Sequence, residues 1–156
     1  MEPNAPQTPE GALEALQKGY ARYRAELEDS RATALSEVVG NLFRSQGNPR
    51  VNQLVSAFAP ALEEWVAGLA GLLAGCTPEE ADGYAAQALE QMLFYPRPAD
   101  QSVEFSLQAF EGYAAPLLPF LAQDRRAETA LRYQRRNPPR RMLPNQRKLW
   151  KALSGR

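Results

Sequence analysis

Apolar side chains recur at intervals of three and four along most of this chain, and no segment sustains the every-second-residue alternation of a half-buried strand. Leu13, Leu16, Tyr20, Tyr23 and Leu27 set the pattern. An α-helix brings residues at those spacings onto one face, so this stretch is predicted to be a helix that packs along a single stripe. Ser30 and Ala34 continue the stripe weakly before it moves to Leu35, Val38 and Leu42. That drift opposes one uninterrupted heptad and favours a straight bundle helix over an oligomeric coiled coil. With no βαβ rhythm either, the chain is predicted to be all-α, with four to six helices in one compact bundle.

Proline, glycine and cap chemistry divide that bundle. Pro3, Pro6 and Pro9 oppose an early helix, so residues 1–8 are expected to be flexible, with Thr8 capping a helix that has Pro9 at its first position. Gln46-Gly47-Asn48-Pro49 is a break. Val51, Leu54, Val55, Phe58, Leu62, Trp65, Val66 and Leu69 then resume a helical face. Pro60 is expected to kink or divide it, because proline cannot donate the interior hydrogen bond. Gly68, Gly71, Ala74 and Gly75 are expected to admit a closely packed neighbouring helix, and Trp65 to anchor the core.

Thr77-Pro78-Glu79-Glu80 reads as a capping box with proline at the first helical position. The helix it opens has Ala81, Tyr84, Ala85, Ala88, Leu89, Met92 and Leu93 as its buried stripe, and Tyr95-Pro96-Arg97-Pro98 closes it. A fourth helical region from Asp100 or Ser102 uses Leu107, Phe110, Tyr113, Ala114 and Leu117. Pro116 and Pro119 are expected to kink or interrupt its second half. Asp124 is expected to cap a last body helix through Leu131 and Tyr133, and Asn137-Pro138-Pro139 to stop it. The resulting division is a flexible segment (1–8), a helical bundle with kinked central helices (9–134) and a basic, partly extended C-terminal tail with a short helix (135–156).

Charge is distributed as unevenly as the breaks. Residues 124–156 hold 11 basic and two acidic side chains, a formal charge of +9, against seven basic and 16 acidic in residues 1–123, a formal charge of −9. A net charge of zero thus conceals an acidic body and a basic end, which points to a polyanion or an acidic protein surface as partner. The candidate binding residues are Arg125, Arg126, Arg132, Arg135, Arg136, Arg140 and Arg141, followed by Arg147, Lys148, Trp150 and Lys151. The cations suit phosphates, and Tyr133 or Trp150 offers a ring for stacking on an exposed base. Alternatively Leu149, Trp150 and Leu153 dock on the body and leave the arginines solvated, or the cations bridge acidic surfaces between protomers.

Other chemistries find little support. One cysteine and no histidine exclude an intrachain disulfide and His-ligated metal or Cys–His sites. A reducing, cytoplasmic setting follows as the expectation, and the first residues show no secretory pattern. The apolar run from Trp65 to Cys76 has 12 residues, against roughly 20 for a membrane span. Glycine-rich dinucleotide and P-loop motifs are absent. Glu63–Glu64 and Glu79–Glu80 are adjacent pairs whose members face apart on a helix, and Cys76 reads as a small residue at a helix junction. The expectation is a non-enzymatic protein without cofactor or metal that contacts RNA or DNA largely independently of base sequence, in a homo-oligomer or larger assembly. The alternative is a protein-only adaptor whose tail docks on an acidic partner. Membrane binding is not expected.

Overall fold

The computed structural model describes residues 8–38, 49–98 and 101–155, with side chains at 30–38, 49–52, 101–103 and 105 outside that description. Within it the chain forms six α-helices and no strand: α1 (Pro9–Val38), α2 (Pro49–Leu73), α3 (Pro78–Leu93), α4 (Gln101–Gln108), α5 (Gln123–Arg136) and α6 (Pro144–Leu153). A 3₁₀ helix, Glu111–Phe120, lies between α4 and α5, and a 3₁₀ turn, Pro139–Arg141, lies between α5 and α6. The all-α bundle is therefore observed. The stripe beyond Leu27, the Gln46–Asn48 break and the first seven residues fall outside the described side chains or backbone.

The local signals act where they were read. Thr8 Oγ1 accepts from the Gly11 amide at 3.1 Å. At α3 the Glu80 amide donates to Thr77 Oγ1 (3.2 Å) while the Thr77 amide donates to Glu80 Oε1 (3.1 Å), the reciprocal box. Leu13, Leu16, Tyr20, Tyr23 and Leu27 of α1 are all buried. They pack on Phe58, Leu62, Val66, Leu69 and Leu73 of α2 and on the Ala85–Met92 face of α3.

Three expectations are corrected. First, of the two outcomes expected at Pro60, division is excluded: α2 runs continuously from Pro49 to Leu73. Pro60 and Ser56 are both exposed, so the Ser56 carbonyl that loses its helical donor lies on the solvent side of α2, where the missing bond costs least. Second, Gly68 and Gly71 face open space, with nothing within 4 Å of a Cβ built at either, and Ala74 and Gly75 are exposed. The close approach occurs instead at Gly19 of α1, where a Cβ would lie 2.2 Å from the Trp65 indole. Third, Asp124 is inside the first turn of α5, whose cap residue is Ala122. The Ala122 amide donates across the bundle to Asp82 Oδ1 of α3 at 2.8 Å, a partner 40 positions away that no local pattern signals.

These glycines make a paired prediction. Gly19→Ala is expected to destabilise the fold by about 1–3 kcal/mol through overpacking against Trp65. Gly71→Ala is expected to stabilise it by about 0.5–1 kcal/mol through helix propensity. Urea unfolding of the two variants checks the opposite signs.

The fourth region is interrupted before Pro116: α4 ends at Gln108, and Pro116 and Pro119 lie inside the 3₁₀ helix Glu111–Phe120 that follows. Proline lacks the amide that an α-helix needs, and the segment tightens to three residues per turn. That period lines up Glu111, Ala114 and Leu117 on one buried edge. The 3₁₀ helix packs against α2, α3 and α6 together. No helix among the described residues is long and apolar enough to cross a membrane.

Candidate cationic binding surface

Helix α6 opens at Pro144, with the Leu143 amide donating to Gln146 Oε1 at 2.9 Å. Gln146, Leu149 and Leu153 are buried on its inner side and pack against the 3₁₀ helix and α5. At 100° per residue this places Arg147, Lys148 and Lys151 on the outer side, where all three are exposed. The residues expected to form a partly extended tail thus return to the body through α6. Asn145 secures the same junction, donating from Nδ2 to the Gln108 and Ala109 carbonyls at 3.1 Å each.

The structure separates the basic residues into groups that the sequence could not distinguish. Arg125 donates from Nε to both carboxylate oxygens of Asp82, at 2.9 and 2.8 Å. Arg132 forms a two-pronged pair with Glu90, at 2.6 and 2.8 Å, and its guanidinium lies 3.9 Å from the Phe94 ring centroid. Its hydrogen bonds hold the Glu90 carboxyl below the usual carboxylate range. Arg136 lies 4.6 Å over the Tyr95 ring, and its backbone carbonyl accepts from Arg97. Arg126 and Trp150 are half-buried beside a groove between α5 and α6. Arg147 donates to the Pro139 carbonyl at 2.7 Å, tying α6 to the 3₁₀ turn. Arg135, Arg140, Arg141, Lys148 and Lys151 are exposed and have no ion pair among the described residues.

Neither ring considered for base stacking stands among those five cations. Tyr133 is wholly buried, and Trp150 sits on the groove side of α6, turned away from Lys148. Glu63, Glu64, Glu79 and Glu80 are exposed, and the Cys76 thiol donates to the Leu72 carbonyl at 3.6 Å.

Behind the cationic surface lies a feature that the sequence reading missed. Glu111, 1% exposed, accepts from Tyr133 Oη (2.7 Å) and Gln146 Nε2 (2.9 Å) at Oε1, and from Tyr95 Oη (3.1 Å) at Oε2. Gln146 also donates to Asn137 Oδ1 at 3.3 Å. One carboxyl thereby joins the end of α3, the 3₁₀ helix, α5 and α6. Its signal was available as a lone acid four residues after Leu107 and three before Ala114, on the apolar stripe itself.

Burial pushes the Glu111 carboxyl up, against the hydrogen bonds from Gln146, Tyr133 and Tyr95 and the charge of Arg136, which pull it down. A carboxyl raised on folding contributes most to stability below its unfolded value, and that contribution is lost as pH rises through the folded value. Glu111→Gln carries no such ionisation. The stability of the native chain relative to Glu111→Gln is therefore expected to fall as pH rises from the ordinary carboxyl value of about 4.5 toward neutrality. Parallel urea titrations across that range test the sign. A difference independent of pH would refute it.

Comparison with known proteins assigns no relative: no family model, curated protein or solved structure matches this chain.

Proposed function

We propose that this chain is a non-enzymatic helical binding protein that holds the phosphate backbone of nucleic acid on the outer face of α6 and the neighbouring 3₁₀ turn. One observation carries the reading. Residues 135–155 contain seven basic and no acidic side chains, and Arg135, Arg140, Arg141, Lys148 and Lys151 of that set are exposed without an ion pair among the described residues. A cation already paired with a carboxylate gives little to a phosphate, so Arg125 and Arg132 are assigned to structure, holding α5 on α3. Tyr133 is in the core and Trp150 faces the groove. Contact is thus assigned to the backbone without base stacking, and a duplex suits it better than an unstacked single strand. A cytoplasmic setting accords with the free thiol of Cys76.

The test is a salt-dependent anisotropy titration of labelled duplex DNA, duplex RNA and single-stranded RNA. About five phosphate contacts give a log–log salt slope near −4.5, or roughly a 500-fold loss of affinity between about 50 and 200 mM salt. Replacing Arg135, Arg140, Arg141, Lys148 and Lys151 with glutamine is expected to abolish most binding and flatten that slope, with the helical circular dichroism retained. Equal binding by the substituted chain would sink the proposed surface.

A second reading is favoured by the Arg125–Asp82 and Arg132–Glu90 pairs. The same cation–carboxylate pairing, used between chains, suits a protein-only adaptor or a homo-oligomer in which the five cations meet an acidic surface. Sizing of the native and substituted chains separates the readings. Assembly that is lost with the cations, in a chain with no affinity for any nucleic acid, would favour the adaptor.

A further inference from the structure

The groove between α5 and α6 has a volume of about 670 Å³, within the range of small-ligand and peptide-anchor sites. Its walls combine three features. Ala127, Ala130, Leu131 and Leu153 make it largely apolar, and Leu131, 55% exposed, is the one large hydrophobic side chain left in solvent among the described residues. The only charged lining residue is Arg126, which has no ion pair among the described residues; no acid lines the groove. Finally, Arg126 Nε and Trp150 Nε1 are both buried without a hydrogen-bond acceptor.

A buried donor without a partner is costly, and native proteins nearly always supply one. Four such atoms occur among the described residues, and two of them, on Arg126 and Trp150, belong to residues that line this one groove; the others are Tyr23 Oη and Arg136 Nη2. Each groove donor is occluded in the free chain, so contact with a ligand requires a side-chain rotation that opens it. The lone arginine makes an anionic acceptor the complementary one, since carboxylate and guanidinium match in geometry as well as charge. The exposed Leu131 and the apolar walls require that the anion be attached to a hydrophobic body. Trp and Arg are also the residue types that most often anchor protein interfaces.

We infer that the α5–α6 groove docks a short acidic segment of a partner protein, with a bulky apolar side chain against Leu131 and a carboxylate on Arg126 and the Trp150 indole. This surface is distinct from the cationic outer face of α6, so the two can be occupied together and can fail separately.

The test begins with random displayed peptides of about twelve residues, selected on the full chain and counter-selected on a chain carrying Arg126→Gln and Leu131→Ser. Peptides enriched on the native chain are expected to pair Asp or Glu with a bulky apolar neighbour. A synthetic copy of the most enriched peptide is expected to shift one of the two tryptophan indole resonances, that of Trp150, and leave Trp65 in place. Leu131→Ser, a change at an exposed position, is expected to weaken that peptide about tenfold with circular dichroism and duplex binding unchanged. Enrichment that ignores the counter-selected substitutions, or selects peptides without acids, would overturn the assignment. So would self-association of the native chain that Leu131→Ser removes, since the occupant would then be a second copy. A shift of the Trp150 resonance by duplex alone would likewise overturn it, giving the groove to nucleic acid.

Discussion

Phe58→Ala is expected to destabilise the protein by about 3–5 kcal/mol, the range for removing a large aromatic from a core that cannot collapse around the gap. Phe58 stands at the centre of five rings. It stacks on Tyr23 with centroids 3.7 Å apart and meets Tyr20, Phe110 and Trp65 edge-on at 5.7, 5.3 and 6.0 Å. These partners come from α1, from α2 and from the turn after α4, so the void would open where three parts of the bundle converge. Phe58→Leu refills much of the volume and forfeits only the ring geometry, which predicts a smaller loss of about 1–2 kcal/mol. Urea unfolding followed by circular dichroism measures both. Near-equal losses for the two substitutions would show that the ring arrangement dominates over the cavity. A loss under about 1 kcal/mol for Phe58→Ala would mean that the site collapses freely.

Glu111→Ala is the second large effect, and its origin differs. The substitution leaves Tyr133 Oη, Tyr95 Oη and Gln146 Nε2 without their shared acceptor in the interior. Unsatisfied buried groups cost about 1–3 kcal/mol each, so a total of about 2–4 kcal/mol is expected, reduced by the desolvation that the carboxylate itself no longer suffers. Glu111→Gln keeps an oxygen toward Tyr133 and Gln146, and is expected to cost about 1 kcal/mol near neutral pH. The loss should be local first. Gln146 and Tyr133 hold α6 and α5 to the 3₁₀ helix, so Glu111→Ala is expected to expose the chain around Arg140, Arg141 and Arg147 to trypsin before the bundle unfolds. Leu149→Ala loosens α6 without touching the carboxyl and provides the comparison. If Glu111→Ala left both stability and cleavage unchanged, Glu111 would not be what holds the basic segment in place.

That dependence bears on function. Lys148 and Lys151 are carried by α6, and α6 is held to the 3₁₀ helix partly through the Gln146–Glu111 hydrogen bond. If the proposed phosphate contact holds, Glu111→Gln is expected to change it without removing a single basic residue. Comparing the salt slopes of Glu111→Gln and the native chain distinguishes a displaced surface from a depleted one.

What the chain determined locally is legible residue by residue. The stripe of α1 as far as Leu27, that of α3 apart from the half-buried Tyr84, the Thr8 and Thr77 caps and the all-α class follow from spacings of three and four and from hydrogen bonds that close within one turn. The uneven charge was equally plain. What it meant for each arginine was not. Arg125 and Arg132 find their acids 43 and 42 positions away on α3, Gly19 meets a tryptophan from the next helix, and Glu111 collects donors from three other parts of the fold. Gly68 and Gly71 have the composition of a close contact but face open space. Helix periodicity and capping act over a few residues and are written in the order of the chain. The pairing of a charge, the packing of a small residue and the satisfaction of a buried carboxyl depend on which helices meet, and only the tertiary structure decided that.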